Sequence, residues 1–346
     1  MEEQLNNIYE TLRKQRVERF KDLDDNNPRK KSTIEGSTLK KYGSVIKTMY
    51  NSIFKDEALK PELFIKQQPK VMNYLETKYK DVNEPFTTRR HIYNALYVYT
   101  NHEDYRELMK KDSELYKKKQ DKRERTPKQK ENWIEVNKIK ELLNELKVEA
   151  NVLFKKLKKL NAKPPTQTEL QTIQKYLILL LCSGLYFPIR RSKDWIDFKL
   201  KTTDIDPQKD NYMDEDELIF NSYKTAKTYG QQKIKLTTLK QGGDVKNKEA
   251  LKEILKALDN WKQINPNTYL FFDKSNKPLT QSALTNRLNK IFGNTKGYGG
   301  VSINLLRNIM NTSMDGGALK KVNKIKTHLE KSGSSASQLN TYVKDL

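Results

Sequence analysis

The chain has 346 residues, with 67 Lys and Arg against 44 Asp and Glu, a formal charge of +23 and a pI near 9.6. One cysteine, Cys182, excludes an intramolecular disulfide and fits a reducing compartment. The histidines His91, His102 and His328 are scattered without cysteine neighbours, which excludes zinc-site spacing. Neither a Walker-type loop nor a Rossmann glycine pattern occurs, so no nucleotide or other cofactor is expected. The length exceeds the roughly 250–300 residues at which single cores stop growing, and two domains with extensions are expected. The charge calls for a polyanion. Nucleic acid is favoured over a membrane surface, because basic residues spread along the whole chain without a lipidation motif, a signal-peptide hydrophobic region or a spanning segment.

In chain order, residues 1–35 read as a helical N-terminal extension, with Leu5, Ile8, Leu12, Val17 and Phe20 near helical spacing ahead of the polar run DDNNPRKKS. Residues 36–110 read as a compact helical domain. Ser37 and Thr38 are candidate caps, Leu39, Tyr42, Val45, Ile46 and Met49 form an apolar stripe, and further helices are expected near Pro69–Tyr79 and Thr88–Tyr99. Lys40, Lys41, Lys47, Arg89 and Arg90 are its candidate phosphate contacts, although ordinary solvated faces would also carry such charges. Residues 111–130 are highly charged, nearly devoid of apolar side chains, and contain Pro127, which predicts a basic linker.

Residues 131–346 form the last predicted domain. A helix through Trp133, Ile139, Leu143 and Leu146 precedes Pro164 and Pro165, and Thr166 opens a central helix. Tyr176–Cys182 is the most apolar run in the chain. It is far shorter than the roughly 20 residues of a membrane span and is followed at once by charge, so a buried core helix is predicted. Gly184 and Pro188 then lead into Arg190 and Arg191, where Pro188 should end or redirect the backbone. Rigidly held guanidiniums suit bidentate phosphate recognition. The segment 216–240 alternates around Leu218, Phe220, Ile234 and Leu236, predicting a hairpin that turns near Tyr229 and Gly230, with Lys224 and Lys227 near its tip. A helix over 246–263 follows, then a short strand, a turn and an amphipathic helix. Arg307 falls on a helix after a glycine-rich turn, and a last helix near 321–331 precedes Tyr342.

The order of an arginine pair behind a core helix, hairpin lysines, a second arginine and a C-terminal tyrosine resembles the tyrosine recombinase (phage-type integrase) superfamily. In style it is similar to the divergent recombinases of large DNA viruses and their mobile elements. LCSGLYFPIRRSKDW looks like the first arginine box, best matched by Arg191 with Asp194, Arg190 being the alternative. NSYKTAKTYGQQKIKL resembles the catalytic-lysine hairpin, with Lys224 ahead of Lys227, and SINLLRNIM resembles the second box, with Arg307 as its arginine. Asn304 and Asn308 stand where the family carries histidines, Lys331 falls near the later His or Trp position, and Tyr342 matches the nucleophile.

The resemblance implies a mainly α fold with a small antiparallel β-sheet (α+β), in which a helical core-binding domain clamps double-stranded DNA beside a catalytic domain. It implies site-specific cutting and rejoining through a 3'-phosphotyrosine without metal or ATP, by a homo-tetramer on DNA. The expected location is intracellular: cytoplasm, viral factory or host nucleus. Two rivals follow from the same residues, a type IB topoisomerase and a catalytically decayed, architectural DNA-binding protein.

Overall fold

The computed structural model describes residues 2–25, 33–34, 36–55, 57–122, 124–186, 189–200, 204–237, 246–293 and 300–315; the side chains of 227–228, 246–250 and 314–315 are outside this set. The fold is mainly α-helical with one small antiparallel sheet, and the chain divides into two compact units, Met1–Glu124 and Arg125–Leu346. Among the described residues, no helix is long and apolar enough to cross a membrane.

The first unit is all helix: α1 (Glu2–Phe20), α2 (Gly36–Ile53), α3 (Pro61–Lys66), α4 (Gln68–Lys78), α5 (Phe86–Thr100) and α6 (Glu103–Asp121). Its core gathers Ile46, Phe64, Leu75, Leu96, Tyr99 and Tyr105. Two of its elements differ from the sequence expectation. Helix α1 is part of the unit's body, because Ile8 and Leu12 are fully buried in the same core. Arg19 fastens the end of α1 to α5: its guanidinium donates to the Tyr97 carbonyl and Asn101 Oδ1, and it lies 4.0 Å over the Tyr97 ring. Helix α6 runs to Asp121 through most of the stretch read as a linker. Its apolar stripe is broken at Asp112, which is buried and takes two hydrogen bonds from Arg89, at 3.1 and 3.0 Å.

That pairing bears on one candidate DNA contact. Arg89 is spent inside the fold, holding α5 against α6, and its neighbour Arg90 lies 3.4 Å over the Tyr116 ring. Lys40 and Lys41 are exposed on α2, and Lys47 is half-buried.

The second unit contains α7 (Pro127–Glu131), α8 (Val136–Leu157), α9 (Gln167–Cys182), α10 (Ser192–Ile196), β1 (Tyr212–Asp214), β2 (Glu217–Phe220), α11 (Ala226–Tyr229), β3 (Gln232–Lys235), α12 (Lys246–Ile264), α13 (Gln281–Gly293) and α14 (Ile303–Asp315). Helix α9 is the axis. Every residue from Tyr176 to Cys182 is buried, and α8, α12 and α13 pack around it. That stretch has no solvated face and so shows no helical period, whereas Gln167, Thr168 and Lys175 are exposed earlier in the helix. Its start is set by a capping box: Glu169 N–H donates to Thr166 Oγ1 at 3.3 Å, and Thr166 N–H donates to Glu169 Oε2 at 2.8 Å. Lys156, near the end of α8, donates to Glu169 Oε1 at 2.7 Å and ties the two helices together.

The sheet has the order β1-β2-β3 and both pairings are antiparallel; Ile219 faces Lys233 and Phe220 faces Gln232. Sequence reading expected the β2–β3 hairpin but missed β1, whose three residues are too few to show alternation. The connection carries the short helix α11 where a simple turn was expected. The expected strand near residue 270 is reduced to isolated bridges, Lys199 with Tyr269 and Phe272 with Pro278.

Arg89→Ala should lower stability by about 3 kcal/mol in urea unfolding, since it strands the buried Asp112 carboxylate; Lys41→Ala should change stability by less than about 0.5 kcal/mol. The Glu169 carboxyl is lowered from 4.5 to about 2, first by Lys156 and then by Thr166. A depressed folded pKa gives stability that is fully present above the ordinary value and is lost as pH falls toward 2. Glu169→Gln should therefore flatten the fall of melting temperature between pH 4.5 and 2, and an unchanged acid limb would contradict this.

Candidate functional site

Helix α9 ends at Cys182, and the chain turns at Gly184, whose φ is +80°. Glycine is required there twice over. A side chain would strain the left-handed backbone, and a Cβ would meet Ile189 Cγ1 at 2.4 Å and Met310 Cγ at 3.1 Å. The turn is thus closed on by Ile189, the residue before the arginine pair, and by Met310 of α14, the helix that carries Arg307. Pro188, to which sequence reading gave the change of direction, lies outside the described residues.

The two adjacent arginines take different environments. Arg190 is turned inward, with 11% of its side chain exposed. Its Nε donates to Asp194 Oδ2 at 3.0 Å, its Nη1 donates to Gln232 Oε1 at 2.8 Å, and its guanidinium lies 3.7 Å over the Phe220 ring. Burial pushes the Arg190 pKa down and that of Asp194 up, each opposed by attraction to the other. Arg191 is the N-cap residue of α10, half-buried, with no side-chain hydrogen bond or ion pair among the described residues.

The floor beneath them is aromatic. Trp195, Phe198 and Phe220 are fully buried, with centroids 5.3–5.4 Å apart. Asn211 joins this floor to the sheet: its amide donates to the carbonyls of Asp194 and Ser222, and its Oδ1 accepts from the N–H groups of Asn221 and Ser222. All of its hydrogen-bonding capacity is used.

On α14, Leu305, Leu306, Ile309 and Met310 face the core, so Asn304, Arg307 and Asn308 share the outer face at helical spacing. Arg307 reaches the same cleft as the arginine pair. The cleft, of about 530 Å³, is lined by Arg190, Arg191, Asp194 and Arg307 from one side and by Tyr223, Tyr229, Gln232 and Lys233 from the hairpin. Four cations thus meet one carboxylate, and that carboxylate is already held by Arg190. The remaining charge is positive, and among the described residues Arg191 and Arg307 have no side-chain hydrogen bond or ion pair, which leaves their donors to an anion.

Three predicted site residues, Arg190, Arg191 and Arg307, are brought together here. Lys224 is exposed and does not line the cleft, and Asn304 and Asn308 are exposed beside it without lining it. The Lys227 side chain, Lys331 and Tyr342 lie outside the described residues. Lys233, which the sequence did not single out, borders the cleft, with Glu217 3.7 Å away on β2. No local signal marks it: Gln232 is the β3 residue that meets Arg190, and alternation turns the side chain of Lys233 to the other face of the strand, toward Glu217.

No protein-family model, curated protein or solved structure matches this chain. Among the described residues, no group of three or more His, Cys, Asp or Glu is arranged to hold a metal ion.

Gly184→Ala should cost at least the roughly 1–2 kcal/mol of a left-handed backbone, with the Ile189 contact adding to it. Urea unfolding checks this, and a loss under about 0.5 kcal/mol would contradict the close packing of α14 against the arginine loop.

Proposed function

We propose that this chain is a DNA strand transferase of the tyrosine recombinase type, cutting and rejoining duplex DNA at specific sites. The observation that carries the reading is the shared cleft lined by Arg190, Arg191, Arg307 and Lys233, where the carboxylate among the described lining residues, Asp194, is held by Arg190. A phosphodiester is a monoanion, and attack at phosphorus adds charge to its non-bridging oxygens. Guanidiniums fixed in advance lower that cost. Arg191 and Arg307 take this part. Tyr342 supplies the nucleophile: its phenol gives its proton to solvent water, its oxygen bonds to phosphorus, and the bond to the 5'-oxygen breaks. Lys233 gives that oxygen its proton, leaving a 5'-hydroxyl and a 3'-phosphotyrosine. The reverse step rejoins the strand without an external energy source. Arg190 acts by holding Asp194 and Gln232 in place.

A second reading is favoured by one feature. Asn304 and Asn308 stand at positions where the resembled family has histidines, and an amide cannot shuttle protons. A chain that grips DNA in the same cleft without cutting it is the rival.

Incubation with nicked suicide duplexes, followed by denaturing gels, tests the proposal. A covalent protein–DNA band is expected with the wild type and not with Tyr342→Phe. Arg191→Ala and Arg307→Ala should each slow its formation by about 10²–10³. Lys233→Ala should slow it by about 10²–10⁴, and a substrate whose leaving oxygen is replaced by sulfur, which needs no proton, should restore most of that loss. No band on any duplex, with tight salt-sensitive binding, would support the rival. Relaxation of plasmid without site preference would point to a topoisomerase.

A further inference from the structure

The hairpin wall of the cleft carries an aromatic feature that anion binding alone does not use. Tyr229 closes α11, lines the cleft and is 67% exposed. Among the described residues it is the aromatic side chain left exposed in this way; the other large exposed apolar residues are aliphatic. Single exposed aromatics are ordinary on protein surfaces. This one, however, is held in a closed connection. Tyr229 N–H donates to the Thr225 carbonyl, Gly230 N–H donates to the Ala226 carbonyl, and Tyr223 Oη donates to the Gly230 carbonyl at 2.6 Å. The Tyr223 phenol is therefore used within the fold, while the Tyr229 ring is presented at the cleft.

Gln232 sits on the same wall with a fixed sense. Its Oε1 accepts from Arg190, so the donor face of its amide is what remains for a ligand. An aromatic plate and an amide donor beside a cluster of guanidiniums match a nucleoside joined to a phosphate, because the sugar and base offer an apolar face and acceptor atoms that a bare anion lacks.

We infer that Tyr229 is a specificity-determining residue that covers the nucleoside flanking the phosphate held by Arg191 and Arg307, so that the cleft selects a nucleotide phosphodiester over an inorganic anion. The inference rests on the reading of the cleft as a phosphodiester site and adds to it the part of the ligand that lies beyond the phosphate. It gives the exposed ring a contact that its lack of packing within the fold leaves open, and it divides the cleft into a cationic half and a nucleoside half.

Isothermal titration of the full chain at low salt with two probes, a thymidine dinucleotide with one internal phosphodiester and inorganic sulfate, tests this. Tyr229→Ala should weaken dinucleotide binding about tenfold, with sulfate binding changed by less than about twofold, and Tyr229→Phe should retain dinucleotide binding. Arg307→Ala should weaken both probes. Because Tyr229 is mostly exposed, the melting temperature should stay within about 2 °C of the wild type, which separates lost recognition from lost folding. An equal effect of Tyr229→Ala on both probes, no effect on the dinucleotide, or no dinucleotide binding by the wild type would overturn the inference. Intact discrimination between the probes, in a protein that never forms a covalent DNA adduct, would support it while removing the strand-transfer proposal.

Discussion

The buried guanidinium of Arg190 is the constraint on which the cleft depends. It joins three pieces of chain that come from different parts of the sequence: the segment after α9, the Asp194 carboxylate on α10, and Gln232 at the start of β3. A charge at this depth persists only when its donors are used, and here a carboxylate, an amide oxygen and the face of Phe220 use them. The consequence is positional. With Arg190 turned inward, Arg191 occupies the N-cap position of α10 with no side-chain hydrogen bond or ion pair among the described residues, and β3 is held with Lys233 on the same cleft. One arginine is structural so that its neighbour is available.

The same economy explains the cleft's electrostatics. The hydrophobic anchor is the Tyr176–Cys182 stretch of α9, buried throughout, and Gly184 lets both Ile189 and Met310 of α14 close on the turn that leaves it. Packing around that turn accompanies the meeting of Arg191 and Arg307, more than a hundred residues apart in sequence, at one opening. Like charges so gathered repel, and the fold tolerates them because core packing of Leu306 and Ile309, along with Trp195, fixes the helices that carry them. Repulsion held in this way is relieved by a bound anion, which is how a preorganised phosphate site gains affinity without rearranging.

Much of this was legible in the sequence where a local rule decides the outcome. Thr166 at the start of the central helix, the apolar core helix and the hairpin each have a short-range signature, whereas the meeting of Arg190, Arg191 and Arg307 in one cleft is long-range and was expected only from the resemblance. The misreadings have physical causes. Helix α6 looked like a linker because its buried position 112 is an aspartate, and only the distant Arg89 makes a carboxylate acceptable there. Helix α1 looked like an extension because two buried residues in nineteen leave a weak stripe, and the tie through Arg19 is made to residues about 80 positions away. Lys224 and Lys227 stood out because a simple turn would put them at the tip of the hairpin, whereas α11 fills the connection and the cleft is bordered from the hairpin by Tyr223, Tyr229, Gln232 and Lys233. Arg190 and Arg191 could not be separated by pattern, since burial, which distinguishes them, is a property of the fold.

The most direct measurement of the central claim is a crystal structure of the chain with a nicked duplex and vanadate, which imitates the pentacoordinate phosphorus of strand transfer. The expected result is vanadate in the cleft, within hydrogen-bond distance of Arg191 and Arg307, with the Lys233 ammonium beside the leaving oxygen and the Tyr342 phenolate as an apical ligand. Vanadate bound away from these arginines, or seated there with Tyr342 of every copy far from it, would contradict the account.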